Sequence, residues 1–287
     1  MRASLLTGQV PATHGVFVND VYLRDDGQSL AQVFAQNGYD TGYIGKWHVD
    51  GHGRSSYIPP ERRQGFQYWK VLECTHNYNE SFYYADDGKG NDSDAKLTWD
   101  GYDAKAQTED AEAYLRQHAA SETDSPPFLL MLSWGPPHNP YGTAPEEYRA
   151  MYKPEDVQLR PNVPADAAEA AREDLAGYYA HCTALDDCLG SLCATLDETG
   201  LTENTLFVFF SDHGDMLGSQ GQIRKQRPFE EAVRVPCLVS CPRLLGDDAA
   251  NSKRLAAPFD VGLDMLPTVL DLCKYPPVQI LWFMGLF

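Results

Sequence analysis

One stretch constrains this chain more than any other. An unbroken apolar run, Leu206-Phe207-Val208-Phe209-Phe210, stops at Ser211-Asp212-His213-Gly214-Asp215. Valine and aromatic side chains on successive positions leave no face for water, so the run reads as a strand buried on both sides. Burial on both sides needs cover from helices, which predicts an α/β fold: a mixed, mostly parallel sheet flanked by helices on both faces. In open sheets of that class ligands bind beyond the carboxyl ends of the strands. Asp212 offers oxygen there and His213 nitrogen, donors suited to a divalent metal. The same spacing also allows Asp212 to cap a turn and His213 to be an ordinary loop residue.

Two more strands end the same way. Residues 39–44 lead into Gly45-Lys46-Trp47-His48, and the run 128–132 leads through Ser133-Trp134-Gly135-Pro136-Pro137 to His138. Helices are expected at 29–37, ended by Gly38, and at 102–119, 166–199 and 260–273. Residues 49–100 read as loop-rich, with aromatics packed about a pocket. A Gly-rich loop after the 206–210 strand carries the basic stretch Arg224-Lys225-Gln226-Arg227. If the three strands lie side by side, their ends share one crevice, and Lys225 is expected to point into it. Taken singly, Lys46 and Lys225 also suit a solvated surface, His48 a loop and His138 a turn. Together they form one metal site plus cationic donors, suited to an anionic tetrahedral ester.

The net charge of −18 argues against a nucleic-acid partner, because phosphate backbones need a basic face. An anionic substrate would need locally concentrated positive charge. The cysteine count, 7, is odd and shows no paired Cys-x-x-Cys frame, which favours buried free thiols. No run is long and apolar enough for a membrane span.

Several segments together carry a family resemblance. Arg2-Ala3-Ser4-Leu5-Leu6-Thr7-Gly8 resembles the end of the signature Cys/Ser-x-Pro-Ser-Arg-x-x-Leu-x-Thr-Gly of the sulfatases, within the alkaline phosphatase superfamily. Gly45-Lys46-Trp47-His48, Pro137-His138-Asn139-Pro140-Tyr141 and Ser211-Asp212-His213-Gly214 are similar to its later elements. So is Lys225-x-x-x-Phe229-Glu230 followed by Arg234-Val235-Pro236, with phenylalanine in place of tyrosine. The resemblance implies an alkaline-phosphatase-like sheet and hydrolysis of sulfuric esters, on a sulfate-ester small molecule or a sulfated glycan. It implies a formylglycine made from the signature Cys or Ser, and a divalent cation, calcium first, with manganese or magnesium as alternatives. By position, Asp212 and His213 would bind the metal, Lys46 and Lys225 the sulfate. His138 would protonate the leaving oxygen, His48 would assist release of sulfate, and Arg2 would steady the formylglycine. Export of family members points to a periplasmic or extracellular site.

The match departs from the family at both ends. Met1 stands where the signature has Ser, so the formylglycine is expected upstream of Met1, along with a strand bearing two further metal carboxylates. Residues 1–275 therefore read as an incomplete sulfatase catalytic domain, inactive by itself, and 276–287 as an apolar tail with no assigned role. The alternatives are a phosphodiesterase or phosphonate monoester hydrolase of the same superfamily, and a non-catalytic binding protein.

Overall fold

A computed structural model describes residues 1–25, 29–89, 91–121, 125–246, 257–273 and 279–284. Its centre is an eight-stranded sheet. The strands are β1 (Asp40–Lys46), β2 (Tyr68–Leu72), β3 (Phe82–Asp87), β4 (Ser93–Thr98), β5 (Phe128–Ser133), β6 (Thr205–Phe210), β7 (Cys237–Ser240) and β8 (Gln279–Met284). Their order is β4-β3-β2-β1-β5-β8-β6-β7. Strands β2, β1, β5, β8 and β6 run parallel, and antiparallel strands close both edges.

Side chains alternate between two apolar layers, as the strand period requires. Leu129, Met131, Leu206, Val208 and Phe210 enter one layer, with the helices Arg2–Thr7, Leu30–Gln36 and Met265–Leu272. Leu130, Leu132 and Phe209 enter the other, under the helices Asp103–Ala119 and Ala168–Thr199. The central strands are thus covered on both faces, as their uninterrupted apolar runs demand.

Several boundaries follow from local chemistry. Ser29 caps the helix Leu30–Gln36 in a capping box with Gln32. Gly200 ends the helix Ala168–Thr199 in the left-handed region at φ 70°. The last helix starts at Met265, later than residue 260, because the Asp260 carboxylate accepts the backbone N–H groups of Gly262 and Leu263 in a turn.

Two expectations are refined. Residues 49–100 are not loop alone: they also contain β2, β3 and β4. In β4 most side chains face solvent, so the apolar pattern that marks a buried strand is missing. The strands 128–132 and 206–210 are not direct neighbours either. Strand β8 lies between β5 and β6 and pairs in parallel with both, from Leu129↔Ile280 and Leu206↔Ile280 onward. Ile280, Leu281 and Trp282 are fully buried there, so this part of the tail is sheet core. The rest of the tail lies outside the described residues.

Candidate active site

Strand β1 delivers Lys46 as its last residue. Gly45 precedes it at φ 102°, where an added Cβ would lie 2.2 Å from the Ser133 carbonyl oxygen of β5. Only glycine permits that approach, so the strand end stays closed and Lys46 is held in the crevice floor. Lys46 is buried, burial lowers its pKa, and its Nζ has no hydrogen-bond or ion-pair partner among the described residues. The turn after it is fixed by buried Glu73, whose Oε1 accepts the N–H groups of Asp50 and Gly51 at 3.0 and 3.1 Å. His48 sits in that turn at φ 61°. Burial, then Lys46 and Arg2, push its pKa down to about 3, so the ring is neutral. Its Nε2 lies 3.6 Å from Asp20, beyond a hydrogen bond.

Arg2 opens the short helix Arg2–Thr7. That helix is held in place by His14: Nδ1 accepts from the Val16 N–H at 3.1 Å, which leaves Nε2–H to donate to Ser4 Oγ at 3.0 Å. Buried Arg2 then ties three strand ends together. It donates to Asp212 Oδ2 at 3.1 Å, to the Lys46 carbonyl at 2.6 Å and to Ser133 Oγ at 2.7 Å.

Asp212 follows β6. Burial raises its pKa, but the field of His213, Arg2, Lys46 and Lys225 outweighs burial and holds the carboxyl well below its usual range. Its Oδ1 is buried and accepts no hydrogen bond among the described residues. His213 donates Nδ1–H to the Gly214 carbonyl at 2.8 Å, which turns the Nε2 lone pair toward Asp212 Oδ1, 3.8 Å away. Two electron-rich atoms facing each other without a proton fit two places in the shell of a divalent cation. Among the described residues no group of three or more His, Cys, Asp or Glu is gathered as a metal site. Gly214 is dictated by space: a Cβ would lie 2.1 Å from the Glu231 carbonyl oxygen.

His138 and Lys225 meet. The imidazole Nδ1–H donates to the Asn139 carbonyl at 3.1 Å, and Nε2 accepts from Lys225 Nζ. Burial, then Lys46 and Lys225, lower the His138 pKa to about 2, and burial lowers Lys225 to about 8. The loops bearing these two residues are joined behind the site, where Tyr141 donates to Asp215 Oδ2 at 2.7 Å.

All seven residues singled out from the sequence, Arg2, Lys46, His48, His138, Asp212, His213 and Lys225, line one crevice. Arg224 and Arg227 line it as well. The crevice spans ≈ 3020 Å³, but its lower part is apolar, built by Leu206, Val208 and the exposed Val233, Leu238 and Val239. The chemistry is confined to the polar end. His76 lines the crevice, with its ring stacked on His138 at 4.9 Å, whereas His52 is turned onto Asp50 and Tyr22. Sequence reasoning missed Ser133, whose only signal is its place at the end of the 128–132 run.

Comparison with known proteins gives consistent matches. The family model described as Sulfatase matches residues 1–275. An ulvan-active sulfatase from Formosa agariphila is 45% identical over 273 residues, covering 94% of this chain and 51% of that protein. An endo-4-O-sulfatase from Bacteroides thetaiotaomicron is 30% identical, covering 95% of this chain and 57% of that protein. Among solved structures, a putative sulfatase yidJ from Bacteroides fragilis superposes with a TM-score of 0.81 at 26% identity, covering 98% of this chain and 65% of that one. The chain thus spans about half the length of the curated relatives it matches.

Proposed function

Because the chain belongs to the sulfatase family, we propose that its crevice binds and hydrolyses sulfuric esters. The observation that carries this reading is Lys46, a largely buried side chain at the crevice whose ammonium has no hydrogen-bond or ion-pair partner among the described residues. A buried cation is costly unless an anion completes it. With Lys225 nearby, it makes a site for the oxygens of a sulfate group.

Asp212 and His213 would hold a divalent metal, calcium, manganese or magnesium, which supplies positive charge to the sulfate oxygens when bound. The nucleophile would be the formylglycine that the family resemblance implies. Arg2 keeps the Asp212 carboxylate oriented through Oδ2 and leaves Oδ1 facing the metal position. Lys46 and Lys225 offset the negative charge that develops on the sulfate oxygens. His138 would act as the acid together with Lys225, because its Nδ1–H donates to the Asn139 carbonyl and its Nε2 accepts from Lys225 Nζ. The proton on Lys225 Nζ, shared with His138 Nε2, is the one positioned to reach a leaving oxygen. His48, with Nε2 unbonded, would assist when sulfate is released. Two protein donors are fewer than the six or more ligands a hard divalent ion takes.

The test is hydrolysis of 4-nitrophenyl sulfate by the protein at its full native length, with added calcium. Metal-dependent turnover that Lys46→Ala abolishes is expected. Turnover unchanged by Lys46→Ala would overturn the sulfate assignment. A second reading, a phosphonate monoester or phosphodiester hydrolase, is favoured by the imidazole donor His213, which suits manganese. Faster cleavage of a phosphonate monoester or phosphate diester than of the aryl sulfate would establish it.

A further inference from the structure

Three imidazoles stand in a row along one wall of the crevice. The His138 ring lies 5.9 Å from that of His213, centroid to centroid, and is stacked on that of His76 at 4.9 Å and 16°. If sulfate sits between Asp212, Lys46 and Lys225, the alcohol it is bonded to extends past His138 and over His76. The crevice as a whole carries more positive charge than one sulfate requires. Among the described residues seven Lys or Arg line the crevice against three Asp or Glu, in a chain that holds 23 and 41 of them. The acidic excess of the chain is reversed here.

Most of these cations are already engaged. Arg2 is on Asp212, Arg54 is bidentate on Asp20, Arg234 is on Glu230, and Arg227 is on Gln222 and its neighbour's carbonyl. Arg224 is different: it is exposed, and its side chain has no hydrogen bond or ion pair among the described residues. It is held at φ 63°, a conformation that bulky side chains rarely adopt, and Gln226 beyond Lys225 is at φ 68°. This double left-handed turn presents Arg224 and Lys225 to the crevice together. Burial, then Lys46, Arg54, Lys225 and Arg224, depress the His76 pKa, so the imidazole is neutral and Arg224 lies within its electrostatic reach.

We propose that Arg224 and His76 form a second anion subsite on the leaving-group side, so that the alcohol released carries a negative charge of its own, as a carboxylate or a second sulfate. This proposal rests on the sulfate-ester reading. It makes the preferred substrate a sulfated acidic or multiply sulfated sugar rather than a neutral aryl or a cationic choline ester. Arg224 supplies a planar fork that pairs with either anion. His76 supplies a ring face and one N–H.

The test is calorimetric binding, with calcium present, of three probes to the full-length protein: glucose 6-sulfate, glucose 2,6-disulfate and a sulfated glucuronate. At least one doubly charged probe is expected to bind about tenfold or more tighter than glucose 6-sulfate, the worth of one charge-assisted hydrogen bond. Which of the two gains the advantage identifies the second anion. Arg224→Gln should erase that advantage and leave glucose 6-sulfate affinity and 4-nitrophenyl sulfate turnover unchanged. His76→Phe, which keeps the ring on His138, should weaken the doubly charged probe alone. Equal binding of all three probes, or an advantage that survives both substitutions, overturns the subsite while the sulfate-ester reading stands. Failure of every probe, glucose 6-sulfate included, overturns that reading and the subsite with it.

Discussion

Asp212 Oδ1 and His213 Nε2 face each other at 3.8 Å, and the one ring proton of His213 is spent on the Gly214 carbonyl. Two lone pairs held in opposition repel, and a cation between them removes the repulsion. Calcium or manganese should therefore raise the melting temperature of the full-length protein, and a chelator should reverse the rise. Asp212→Asn or His213→Ala should each remove most of it. A melting temperature indifferent to metal in the unsubstituted protein would rule out this pair as a metal site.

The tie between Tyr141 and Asp215 gives a second expectation. Their hydrogen bond joins the His138 loop to the Lys225 loop behind the site, and both side chains are buried. Tyr141→Phe keeps the ring and strands one carboxylate oxygen, which costs about 1–3 kcal/mol for a buried acceptor. Urea unfolding should show that loss, and aryl-sulfate turnover should fall through kcat more than KM, because the His138–Lys225 contact loosens. Unchanged stability would mean water replaces the hydroxyl at no cost.

How much of this was legible in the sequence depends on what each residue needed. Lys46, His138 and Asp212 follow apolar runs whose burial is written in their composition, so strand ends could be read and the crevice inferred. Strand β4 escaped because an exposed edge needs no apolar pattern, and β8 because nothing in 279–284 says which neighbours it pairs with. Parallel pairing between β8 and residues 129 and 206 is a long-range choice that local pattern does not encode. Arg224 was hidden for a different reason. A basic run reads as a solvated face, and only the positive φ values on either side of Lys225 turn it toward the crevice.

Asp103 predicts a pH dependence of stability. It is fully buried at the start of the helix Asp103–Ala119, and burial pushes its pKa up from 3.8 to about 8. The folded protein then keeps a proton that the unfolded chain releases. That contribution is complete below pH 3.8 and is lost as pH rises through about 8, so the share of stability owed to Asp103 should fall across this window. Glu73, raised to about 7 by burial, slopes the same way over the lower part. Asp103→Asn should flatten the curve between about pH 7 and 8, where Glu73 no longer contributes. Melting temperatures of both proteins from pH 4 to 9 decide it; parallel curves would show that Asp103 stays ionised.

Lys46 sets stability against binding. The Lys46 side chain is largely buried and its ammonium, at the crevice, has no hydrogen-bond partner among the described residues, so replacing it with an unbranched apolar side chain of similar length removes a desolvation cost. Lys46→Met should therefore raise the unfolding free energy by about 1–3 kcal/mol, the cost on record for a buried polar group left unsatisfied. The same substitution should abolish the protection that inorganic sulfate gives the parent protein in thermal unfolding. A stabilised variant blind to sulfate is the signature of a cation kept for its ligand. A Lys46→Met protein that is less stable than the parent and still protected by sulfate would show that Lys46 holds the strand ends together and that the anion binds elsewhere.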